Sequence, residues 1–105
     1  MYPGETKTIK LYTPVTITGD VVLTEVSMRE PVVRDRILFA KDRGTEEEKE
    51  ARMIASLCGI SEQDLYKLTA ADYIQMEEAF NVFMLPPAKR PKAISSESSE
   101  PSGGD

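Results

Sequence analysis

The sequence predicts an α+β domain: an N-terminal two-stranded antiparallel β-hairpin packed on a bundle of three to four short helices, with a disordered C-terminal tail. Three observations lead to this class. Apolar and polar residues alternate in two runs on either side of Thr18-Gly19-Asp20, helix-start signals recur through the middle of the chain, and from Pro86 onward the composition turns to Pro, Ser, Gly and charge. The expected domain spans residues 1–85 and the expected tail residues 86–105.

The first strand is expected at about residues 6–17, where Ile9, Leu11, Val15 and Ile17 alternate with Lys and Thr. Pro14 removes a ladder donor, which predicts an edge strand or a break near that residue. Gly19 accepts the positive φ that a tight turn needs, and a second strand follows at about 21–28, with Val22, Thr24, Val26 and Met28 alternating with Leu23, Glu25 and Ser27. A lone hairpin is marginal in water, so helices must cover its apolar face.

Four helices are expected, at about residues 31–42, 45–58, 61–68 and 69–85. Pro31 suits a first helical turn, and Val33, Ile37 and Ala40, flanked by Val32 and Phe39, form the expected inner stripe, with Arg34, Asp35, Lys41 and Asp42 facing outward. Thr45 followed by Glu48 reads as a capping box, with Glu46 and Glu47 at the positive end of the dipole; Gly59 is placed to close that helix. Ser61 opens the third helix, and Thr69 with Asp72 the fourth, whose core arc is Tyr73, Met76, Ala79, Phe80, Phe83 and Met84. Ile74 and Val82 stand away from that arc and are the candidate partner-binding residues.

The chain carries a formal net charge of −5, all of it in the expected domain, because Lys89, Arg90 and Lys92 balance Glu97, Glu100 and Asp105 in the tail. An acidic domain repels phosphate backbones, which argues against a nucleic-acid partner. Histidine is absent, removing the commonest general base near neutral pH and the commonest transition-metal ligand. Cys58, the one cysteine, lies at a helix C-terminal end, where the dipole disfavours a thiolate, and reads as a small core residue. Glu46-Glu47-Glu48 lacks the alternating oxygen ligands and central glycine of a calcium loop. Lys89-Arg90-Pro91-Lys92 reads as ordinary linker charge, and no glycine cluster forms a phosphate-cradling loop. No catalytic, cofactor-binding or metal-binding residues are therefore expected, and no small-molecule substrate. The start Met1-Tyr2-Pro3-Gly4-Glu5 has neither basic nor apolar block, and no apolar run approaches the roughly 18 residues of a membrane span, so no membrane partner is expected.

Several blocks resemble the short tail assembly chaperones of contractile-tailed phages, the group that includes the Mu-like tail assembly protein. They are Lys7-Thr8-Ile9-Lys10-Leu11, Pro14-Val15 and above all Met28-Arg29-Glu30-Pro31-Val32, similar to a family strand of the type L-x-L-R-E-P-T. Ile54 to Leu65 is similar to I-A-x-L-T-G-L-S-x-E-D-L, and Leu68 to Tyr73 to L-x-x-x-D-Y. Met28 stands where the family usually has Leu, Val32 where it often has Thr, and the resemblance covers about residues 6–84. Each piece also has a structural reading: Arg29 and Glu30 lead into the first helix at Pro31, Gly59 closes the second, Ser61 and Asp72 satisfy free N–H groups at helix starts, and Tyr73 anchors the last helix.

The resemblance implies a non-enzymatic chaperone of a phage or prophage that binds the tape-measure protein and keeps it soluble during tail assembly, with self-association as a further interaction. It implies action in the cytoplasm of the bacterial host and absence from the mature virion, and a longer frameshifted product joined through the tail. The alternatives are a small adaptor domain for another phage or host protein and, behind it, a DNA-binding regulator, which the acidic helix starts disfavour.

Overall fold

The computed structural model describes residues 5–91. Strands β1 (Thr6–Ile17) and β2 (Val21–Arg29) form an antiparallel hairpin, followed by helices α1 (Val33–Lys41), α2 (Glu46–Cys58), α3 (Glu62–Leu65) and α4 (Ala70–Phe83) and a single 3₁₀ turn at Pro87–Lys89. The α+β class and the hairpin-plus-four-helix layout are as the sequence predicts. The third helix is shorter than expected, a single turn, and the first begins at Val33 with Val32 as its cap, two residues beyond Pro31.

Pro14 marks an irregularity within β1 and leaves the strand whole. Lys10 pairs with Glu25 and Val15 with Leu23, so residues 11–14 lie opposite Thr24 alone. Such a bulge suits a residue without an N–H, and it sharpens the local twist. The alternation on β2 changes phase opposite the bulge: Val26 and Met28 are buried, whereas Leu23 packs against the core and Val22 is exposed. At the turn, Gly19 (φ +83°) and Asp20 (φ +59°) both adopt the left-handed region that the reversal requires.

The hairpin lies with β2 against α2 and β1 against α4, and its buried Ile9, Val26 and Met28 meet Ile54, Leu57, Met76 and Phe83. The helix caps follow the sequence signals. The Thr45 hydroxyl accepts from the Glu48 amide at 3.1 Å while Glu48 accepts from the Thr45 amide at 3.0 Å. Gly59 closes α2 with φ +71°, its N–H donating to the last carbonyls of the helix.

Two expectations are corrected. Helix α1 is turned away from the orientation its stripe predicts: Val33 is 72% exposed and Ile37 50%, while Asp35, expected outside, is 6% exposed. The reason is polar. Asp35 accepts from both Nη atoms of Arg29 at 2.8 Å and from the Val32 amide at 2.8 Å, and at the other end Asp42 accepts from Arg52 Nε at 2.6 Å. These two clamps, with half-buried Phe39 between them, hold the apolar stripe outward. Arg29 keeps the Asp35 carboxyl below the usual range against the opposing effect of burial, and Arg52 holds Asp42 down at about 2.

The second correction concerns the C-terminal side, where order extends past Leu85. Arg90, whose side chain is 7% exposed, donates to Glu30 at 2.6 Å, to Glu5 at 3.3 Å and to the Phe83 carbonyl at 2.9 Å, and sits 5.3 Å from the centre of the Phe83 ring. The basic run read as linker charge therefore contains a docked side chain. The rest of the expected tail, residues 92–105, lies outside the described residues.

Candidate functional site

Turning α1 outward opens an apolar groove of about 510 Å³ between α1, α2 and the end of α4. Phe39 and Ala40 form one wall and Met53 the other, Ile54 and Phe80 lie along it, and Met84 and Pro31 line it beside them. Glu46, Glu47 and Glu50 from the first turns of α2 contribute acidic charge to the lining, and Arg36 is the basic residue among the lining groups. On α1, Val33 and Ile37 lie on the same arc as Ala40, so their exposed side chains extend the apolar wall beyond the groove itself.

The acidic side of the groove is crowded. Tyr73 Oη donates to Glu50 Oε1 at 2.9 Å, and burial, with this hydrogen bond second, pushes the Tyr73 hydroxyl well above its ordinary pKa. Glu77 is raised as well, first by burial and then by its hydrogen bond and charge repulsion with Glu50. Lys49 pairs with Glu46 at 3.3 Å, its Nζ also lying 4.5 Å from the centre of the Phe39 ring.

Ile74 and Val82 do not share a groove. Ile74 is exposed, whereas Val82 is half-buried in a shallow, more polar cleft between β1 and α4, beside Lys7, Lys10, Gln75 and Glu78. Eight residues apart on one helix, they are separated by about 80° of rotation and roughly 12 Å of rise.

The family-motif residues have structural partners. Arg29 clamps Asp35, Glu30 receives Arg90 and its amide donates to the Glu5 carbonyl at 3.0 Å, and Tyr73 ties α4 to α2. Asp72 differs from its expected role. The cap of α4 is the Thr69 hydroxyl, which accepts from the Asp72 amide, while the fully buried Asp72 carboxylate accepts from the backbone of the β1 bulge, Tyr12 at 2.7 Å and Thr13 at 3.2 Å. Asp64 does the same at the hairpin turn, accepting from the Thr18 amide at 3.2 Å and hydroxyl at 2.9 Å.

The groove combines an apolar lining with three carboxylates. Cys58 packs beside the core and burial pushes its thiol up to about 12, far from a reactive thiolate. Among the described residues no group of His, Cys, Asp or Glu is arranged to hold a metal ion, and no helix is long and apolar enough to cross a membrane.

The family model described as phage tail assembly chaperone proteins, E, or 41 or 14, matches residues 8–85. The chain belongs to the phage tail assembly chaperone family. The match begins within β1 and ends just past α4, so it covers the hairpin and every helix that builds the groove, while Arg90 lies beyond it. No curated protein and no solved structure matches the chain. Membership supports a role in tail assembly carried out through protein partners.

The groove was the part of the site that sequence reasoning missed. Its signal was present in Phe39, Met53, Phe80 and Met84, but each of these also fits a core stripe, and the rotation of α1 depends on Arg29 from another element.

Proposed function

We propose that this chain is a non-catalytic chaperone that binds the tape-measure protein of a phage or prophage tail and keeps it soluble in the host cytoplasm until the tail is assembled, leaving the mature virion without it. The observation that carries the reading is the coincidence of the tail assembly chaperone match with an open apolar groove on an acidic domain. A chaperone of a long apolar partner needs exposed apolar surface to hold it and net charge to keep the complex dispersed. The groove and the outward stripe of α1 supply the first, and the −5 charge supplies the second.

Ile74 is a second proposed contact with the partner, because it stands exposed on α4, with Val82 one side further along. Co-expression of the chain with the tape-measure protein of its own tail gene cluster is expected to move that protein from the pellet into a soluble complex. Ile37→Asp or Met84→Asp is expected to reduce the complex if the groove is the principal face, and Ile74→Asp or Val82→Asp if α4 is. A tape-measure protein that stays equally insoluble with and without the chain would refute the reading.

A further inference from the structure

We infer that the groove between α1 and α2 receives an amphipathic α-helix of the partner, with lysine or arginine flanking the apolar face of that helix. The inference deepens the chaperone reading and rests on it. Helices α1 and α2 wall the groove, so it presents ridges of side chains, the surface into which the apolar positions of another helix interdigitate. An extended segment would add to a sheet edge, and no strand residue lines the groove. The β1 edge is also occupied in its middle, where Asp72 takes the Tyr12 and Thr13 amides and Gln75 donates to the Lys10 carbonyl at 2.9 Å.

Charge selects among helices. Glu46 and Glu47 are exposed beside the groove and Glu50 is half-buried within it; Lys49 pairs with Glu46 at 3.3 Å and Arg36 is the basic lining residue, so carboxylates still outnumber cations there. Glu77 stands against Glu50, so carboxyl groups are gathered on that side and a cation from the partner meets complementary charge there. A helix flanked by carboxylates meets the opposite situation. Met53 and Met84 supply flexible, polarisable contacts that adapt to different apolar side chains, which suits a groove that reads the amphipathic pattern of its partner rather than one exact sequence.

The test uses the full chain and two fluorescently labelled synthetic peptides that share leucines at i, i+3, i+4 and i+7. One carries flanking lysines and the other flanking glutamates. The lysine peptide is expected to bind and to gain helical circular dichroism, and the glutamate peptide to bind at least about tenfold more weakly. Glu47→Lys is expected to weaken the lysine peptide by a similar factor and Met84→Asp to abolish its binding, both variants keeping the circular dichroism spectrum of the parent. Added salt is expected to narrow the difference between the peptides. Equal binding of the two peptides, or a lysine peptide indifferent to both variants, would overturn the inference. So would sedimentation showing that the chain self-associates without peptide and that Met84→Asp abolishes this, which would give the groove to a second copy. If the tape-measure complex forms in co-expression and the same variants leave it intact, the groove inference fails while the chaperone reading stands. If no such complex forms with the parent chain, the chaperone reading itself fails.

Discussion

Asp72 has no solvent exposure and carries a charge, a combination that is stable only when every oxygen is engaged. Its acceptors are filled by the Tyr12 and Thr13 amides, the Thr69 hydroxyl and Gln75. Burial alone would raise its pKa, but these donors outweigh burial and hold it below the ordinary carboxylate value. Asp72→Ala removes the acceptor from two strand amides that the bulge has already taken out of the ladder, and is expected to cost about 2–4 kcal/mol in urea unfolding at neutral pH. The sign of the pH dependence follows from the lowered pKa. The native state binds fewer protons than the unfolded chain, so the contribution of Asp72 is complete above the unfolded value of about 3.9 and is lost as pH falls through the folded value. The stability gap between parent and variant is therefore expected to be widest near neutrality and to shrink below about pH 4. A gap that did not change on acidification would show that Asp72 acts through packing alone.

At the scale of the element, α1 shows how few polar contacts can set the orientation of a helix. Nine residues offer one large side chain to the interior, Phe39, while Asp35 is fixed to β2 by Arg29 and Asp42 to α2 by Arg52. With Ile37 at the surface, Ile37→Asp is expected to change thermal or urea stability by no more than about 0.5 kcal/mol, whereas Ile54→Ala from the fully buried position on α2 is expected to cost about 2–5 kcal/mol. A large loss from Ile37→Asp would return that residue to the core. The contrast also shows what the sequence made legible. The caps at Thr45, Ser61 and Thr69, the αL glycine at Gly59 and the turn at Gly19 act over three or four residues, and all are found where local chemistry puts them. The facing of α1 and the true partners of Asp64 and Asp72 depend on Arg29, Thr18 and the β1 bulge, distant residues whose approach no local pattern encodes. The carboxylates three residues past a cap all looked alike: Glu48 closes its own cap, while Asp64 and Asp72 reach across to the hairpin.

Across the whole molecule these contacts fasten the hairpin to the helices at its tip by Asp64, at its middle by Asp72 and at its open end by Arg90. The third fastening joins residues farthest apart in sequence, since Arg90 bridges Glu5 and Glu30 while capping the Phe83 and Leu85 carbonyls at the end of α4. Glu30 and Phe83, which Arg90 joins, are the chain neighbours of Pro31 and Met84, two lining residues of the groove. Glu30 is held below its ordinary pKa first by its hydrogen bond to Arg90, which marks the pair as charged and engaged. Arg90→Ala should therefore loosen the molecule from one end. Hydrogen exchange is expected to accelerate at the amides that close the base of the hairpin, such as Glu30 to Glu5, while the Thr18 amide at the tip and the Tyr12 amide at the bulge keep their protection. Arg90→Lys keeps the charge but loses the planar fork that spans two carboxylates and two carbonyls, and is expected to restore protection only in part. Uniform acceleration across the hairpin would mean that the base opens only with global unfolding, and unchanged exchange in Arg90→Ala would mean that the docked arginine fastens nothing.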